Sequence, residues 1–92
     1  MDLNFIIELF QKEFSELESS DRVQIFLFGS ILITPDYNDI DILFVYNNSN
    51  DIKVLQIIVE KLNFLPLDVN YYTLDEVIEF NFFNNWKYIK IL

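Results

Sequence analysis

Asp39 and Asp41 stand one residue apart at the head of an apolar run, Asp39-Ile40-Asp41-Ile42-Leu43-Phe44-Val45-Tyr46. Side chains alternate along a strand, so both carboxylates project to one face while Ile40 and Ile42 project to the other. Their Cα atoms lie roughly 6.6–7 Å apart. Carboxylates at that spacing converge on one cation, or on two cations about 3.5–4 Å apart. Asp68, framed by Leu67 and Val69, repeats the arrangement in a later β-favouring run. If the two strands pair, three carboxylates cluster and repel one another. A cation relieves this. The chain has no histidine and no cysteine, so the metal must be hard and oxygen-held, Mg²⁺ or Mn²⁺.

Gly29, the chain's only glycine, stands before Ser30 and directly after the apolar run Val23 to Phe28. Glycine lets another group approach the main chain closely. Free N–H groups at such a bend, with the serine hydroxyl, suit a phosphate oxygen. The stretch 27–46 therefore combines a phosphate cradle with an acidic pair on the next strand.

The elements around these residues follow from periodicity. Leu3, Ile7, Phe10, Phe14 and Leu17 recur at helical spacing over 3–18, and Ser19-Ser20-Asp21 ends that helix. Residues 23–28 read as a strand. Ile31 to Thr34 can begin a helical turn, and Pro35-Asp36-Tyr37-Asn38 is turn chemistry. Residues 39–46 read as a central strand, apolar on both faces beyond Asp41. Ile52, Leu55, Ile58, Val59 and Leu62 give a helix over 51–62, and 66–72 a third strand. Thr73 three residues before Glu76 is a capping box that opens a helix to about residue 83. The tail, Trp86 to Leu92, fits a strand or a helical end. The short link between the first two strands implies an antiparallel pair, and the helix between the second and third implies a parallel one. The fold class is thus α/β (α+β): a small mixed β-sheet with helices packed on it, one domain over 1–92.

Composition narrows the chemistry. The formal charge is −9 and the hydrophobic fraction 52%, which excludes a disordered acidic tail. The single arginine, Arg22, and five lysines give no basic footprint for duplex nucleic acid. No basic leader and no membrane-length apolar run is present, which implies a cytoplasmic protein. Homo-oligomerisation stays open.

"FGS" followed after eight residues by "DIDILFVY", and later by "PLDVNYYT", resembles the nucleotidyltransferase superfamily related to DNA polymerase β, and at this size its minimal prokaryotic members. The resemblance runs over about residues 23–72. It implies that Gly29 and Ser30 contact nucleotide phosphates, that Asp39 and Asp41 bind the divalent metals, and that Asp68 completes the catalytic metal site. It further implies transfer of a nucleoside monophosphate from a triphosphate, ATP by preference, to a hydroxyl. Many minimal members are implied to add AMP to a tyrosine of a HEPN-type toxin encoded beside them. Two features depart from the family pattern. The spacer Ile31 to Asn38 is short, and Ile31-Leu32-Ile33 stands where a basic residue is common.

Each feature has a bland counterpart. A Gly-Ser after a strand is commonly just a turn, an Asp-x-Asp an exposed strand start, and Asp68 a surface residue. Their combination in order is what carries the chemistry. A calcium loop through Asp36, Asn38 and Asp41 fails on pattern, because Ile40 and Asp41 occupy the positions that need a ligand and a glycine. Tyr37, Tyr72 and Trp86 are the exposed aromatics suited to base stacking or partner contact. Lys53, Lys61, Lys87 and Lys90 read as solvated. The rivals to a protein-modifying enzyme are an inactive binding module of the same fold and a small-molecule nucleotidyltransferase.

Overall fold

The computed structural model describes residues 2–17 and 23–92. Helix α1 (Leu3–Glu13) begins at Asp2, whose carboxylate accepts from the Phe5 N–H at 2.8 Å. It is shorter than its periodicity suggests. Phe14 caps it, and a 3₁₀ turn (Ser15–Leu17) carries the apolar stripe onward, so that Phe14 and Leu17 still reach the core. The expected stop at Ser19-Ser20-Asp21 lies outside the described residues.

Strand β1 (Val23–Phe28) leads into a 3₁₀ turn (Gly29–Leu32), then β2 (Ile40–Tyr46). Asp39 falls one residue before β2 rather than within it. Helix α2 (Ser49–Lys61) starts at Asn48, whose side chain accepts from the Asn50 N–H at 2.9 Å. Asp51, buried in its first turn, sits at the end of the helix that favours negative charge. Strand β3 (Leu67–Thr73) follows.

The predicted capping box is present: Thr73 Oγ1 accepts from the Glu76 N–H at 3.2 Å, and Glu76 Oε1 accepts from the Thr73 N–H at 2.9 Å. The helix it opens is two helices, α3 (Leu74–Glu79) and α4 (Phe82–Asn85). Asn81 separates them at φ +60°, a left-handed conformation that asparagine tolerates better than most residues. The break turns Phe82 inward, 2% exposed. The undecided tail forms β4 (Tyr88–Lys90).

The sheet order is β3-β2-β1-β4. Strands β1 and β2 are antiparallel, β2 and β3 parallel, β1 and β4 antiparallel, as the connections require for the first two pairs. Ile25 clamps the C-terminal residues, donating to the Leu92 carbonyl at 2.8 Å and accepting from the Ile91 N–H at 2.7 Å.

Two cores sandwich the inner strands. On one face Ile25, Leu27, Ile42 and Phe44 pack under Phe10 and Phe14 of the N-terminal segment and Leu55 and Ile58 of α2. On the other, Phe26, Leu43 and Val45 pack under Val77 and Phe82. Burial on both faces explains why β1 and β2 read as near-continuous apolar runs. Alternation puts Asp41 on the second face, in line with Leu43 and Val45, at the open end that α3 and α4 leave uncovered.

Candidate active site

The register fixes the site. Asp41 is the Cα partner of Asp68 on β3 and of Phe28 on β1. Directly opposed residues point the same way, so the carboxylates of Asp41 and Asp68 share one sheet face. The next residue after Phe28 is Gly29, at φ +82°, where an L side chain is strained. A Cβ on Gly29 would also overlap Asp41 Oδ2 and lie 3.1 Å from Asp41 Cγ. Glycine is thus required twice, once by the backbone and once because the carboxylate rests against its Cα.

Burial, the hydrogen bond and charge of Asp68, and the charge of Asp39 together hold the Asp41 carboxyl above its ordinary range, with burial the largest influence. Among the described residues no basic group enters that balance. Two carboxylates within hydrogen-bond reach coexist by sharing a proton or by binding a cation between them. The donor set is all oxygen and half-exposed, which fits a hard divalent ion.

The three acids are not equivalent. Asp41 and Asp68 meet directly. Asp39 is exposed at the entry to β2, whose start is tied to the residue before β3 by the Ile40 N–H donating to the Pro66 carbonyl at 2.8 Å. Its charge is felt at Asp41, but among the described residues no three acidic side chains stand close enough to form a ready-made metal cage. Asp39 is therefore a neighbour of the pair.

Ser30 lies in the 3₁₀ turn, half-buried. Its carbonyl accepts from the N–H groups of Ile33 and Thr34, both at 3.0 Å. Ile31 is 5% exposed and pins the turn to the core. That anchoring accounts for an apolar residue directly after Ser30, where a cation is otherwise expected. Ile33, by contrast, is 75% exposed.

Of the three aromatics singled out in the sequence, Tyr37 packs against the α1–α2 core. Tyr72 and Trp86 lie on the carboxylate face and line a cleft there. Asn70 and Phe28 line it too and are missed by motif reading. Asn70 was recoverable, since alternation from Asp68 puts it on the same face. Phe28 was hidden because an apolar residue at a strand end looks like core. Among the described residues no helix is long and apolar enough to cross a membrane.

The family model described as the nucleotidyltransferase domain matches residues 7–92. No curated protein and no solved structure matches the chain.

Proposed function

Since the chain belongs to the nucleotidyltransferase domain family, we propose that it transfers AMP from ATP to a hydroxyl presented by a partner protein, a tyrosine of a HEPN-type toxin. The observation that carries this reading is the register of Asp41 against Asp68, with Gly29 closed down on the Asp41 carboxylate.

In this reading Gly29 and Ser30 hold the β- and γ-phosphates through main-chain N–H groups and the serine hydroxyl. Asp41 and Asp68, with Asp39 beside them, would hold Mg²⁺ or Mn²⁺, which lowers the pKa of the acceptor hydroxyl and offsets charge on the leaving group. The acceptor oxygen attacks the α-phosphorus in line. The bond from that phosphorus to the α,β-bridging oxygen breaks, pyrophosphate leaves with the electron pair, and the acceptor proton passes to solvent. The Gly29 main chain against its oxygen and the hydrogen bond to Asp68 hold the Asp41 carboxyl on the sheet, so orientation is prepaid before substrate arrives. A net charge of −9 suits a basic, ribonuclease-like partner.

The test is incubation with α-labelled ATP, Mg²⁺ or Mn²⁺, and the product of the neighbouring gene. Label on the partner, lost in Asp41→Asn and in Asp68→Asn, is the expected result. One observation favours a second reading. Ile33 offers exposed apolar surface beside the Gly-Ser turn in place of a phosphate-binding cation. On that reading the chain neutralises its partner by contact. Tight, unlabelled binding that Asp41→Asn leaves unchanged would select it.

A further inference from the structure

A cleft of about 220 Å³ opens on the carboxylate face, one step along the same strands from the acids. Leu43, two residues after Asp41, is its floor. Asn70 and Tyr72, two and four residues after Asp68, form one side, and Phe80 stands edge-on to Tyr72 with ring centroids 4.9 Å apart. Phe28, the register partner of Asp41, forms the other side, with Trp86 edge-on to it at 5.4 Å. Phe80 and Trp86 are 42% and 49% exposed at the rim. Among the described residues no charged side chain lines the cleft.

Its size is below the roughly 300–1,000 Å³ of clefts that take a whole drug-sized ligand. It suits one flat ring system between aromatic walls. The step from Asp41 to Leu43 is about 6.6–7 Å, which a ribose spans between the α-phosphorus and its base. Asn70 Nδ2 donates to the carbonyls of Ile42 and Asp68, both at a long 3.4 Å. Among the described residues no group donates to its Oδ1, so that oxygen is left to accept from an exocyclic amine. The oxygen of a side-chain amide can accept from the N6 amine of adenine.

We infer that this cleft is the nucleobase site and that it selects a 6-aminopurine, adenine, by stacking and by Asn70, whose Oδ1 accepts from the 6-amine of adenine and would face the 6-carbonyl oxygen of guanine. The inference rests on the transfer reading, which supplies the triphosphate. It places recognition of the base on β3 and the C-terminal aromatics, while the phosphates stay with the Gly29 turn and the acids.

Trp86 is the chain's only tryptophan, so its emission reports on the cleft. The experiment titrates the full chain, with Mg²⁺ present, with ATP, GTP and tripolyphosphate, following Trp86 emission and binding heat. The expected result is that ATP perturbs Trp86 and binds roughly 5- to 150-fold tighter than tripolyphosphate, the range stacking on one base supplies. Phe80→Ala should weaken ATP within that range and leave tripolyphosphate unchanged. ATP should exceed GTP, and Asn70→Leu should level the two. Equal binding of ATP and tripolyphosphate with silent Trp86 emission would overturn the base site while leaving phosphate handling intact. Perturbation of Trp86 by N-acetyltyrosinamide and not by adenosine would overturn it in favour of an acceptor-ring site. Failure of every triphosphate to bind would remove the transfer reading first, and this inference with it.

Discussion

Replacing Gly29 by alanine would put a methyl group where Asp41 Oδ2 now lies, on a backbone at φ +82°. The two penalties have separate origins. Holding an L residue in the left-handed region costs about 1–2 kcal/mol. The overlap is with the end of a side chain and not with backbone, so Asp41 can turn aside, at about 0.5–1.5 kcal/mol for an off-rotamer carboxylate. The sum, about 1.5–3.5 kcal/mol, lowers Tm by about 6–28 °C in a domain of this size. Turning Asp41 aside also parts it from Asp68, so nucleotidyl transfer should fall much more steeply than stability. Urea unfolding of Gly29→Ala, Asp41→Ala and the double variant separates the terms. In the Asp41→Ala background the methyl meets no carboxylate, so the cost of Gly29→Ala should shrink to the backbone part, a coupling of about 0.5–1.5 kcal/mol. Equal cost of Gly29→Ala in both backgrounds would refute the contact, and no cost at all would refute the positive φ as well.

Because the folded state holds the Asp41 proton above its ordinary pKa of 3.8, it keeps a proton that the unfolded chain has already lost in the window above 3.8. Stability attributable to Asp41 therefore falls as pH rises through that window. Asp41→Asn should gain on the wild type from pH 4 towards 7 in urea titrations; a constant difference across that range would contradict the assignment. Adding Mg²⁺ or Mn²⁺ should raise the wild-type Tm, with about 2.7 kcal/mol of stabilisation at a hundred times Kd, and the rise should vanish in Asp41→Asn/Asp68→Asn when followed by differential scanning fluorimetry. Phe44, fully buried between Phe14 at 5.4 Å and Tyr71 at 5.3 Å, anchors the core beneath the site. Its change to alanine should cost about 3–5 kcal/mol, measured by calorimetry.

Much of this protein is legible in local pattern. The apolar stripes of α1 and α2, the strand runs on either side of Gly29-Ser30, and the Thr73–Glu76 box are each encoded within a few residues, and periodicity or capping chemistry acts at that range. The antiparallel and parallel pairings followed from link length. Local pattern failed where a tertiary contact overrode it. The stripe of residues 3–17 continues as a helix on paper, yet the helix ends with Phe14 as its cap and Leu17 reaches the core through a 3₁₀ turn. Residues 74–83 carry no helix breaker, yet Asn81 turns left-handed and Phe82 seats between Phe26 and Phe28.

The sequence by itself determined the inventory of the site: a glycine-serine bend after one strand, an acid pair opening the next, a lone acid on a third, and the exclusion of histidine and thiolate chemistry. Only the tertiary structure decided that Asp68 falls opposite Asp41 and not one residue off, that Asp39 stays outside the close pair, and that the C-terminal segment adds β4 and brings Trp86 to the cleft. The reason is physical. A side chain's type and spacing are local properties, but strand register is set by which apolar faces two distant segments must bury against each other. A slip of one residue would turn Asp68 to the opposite face.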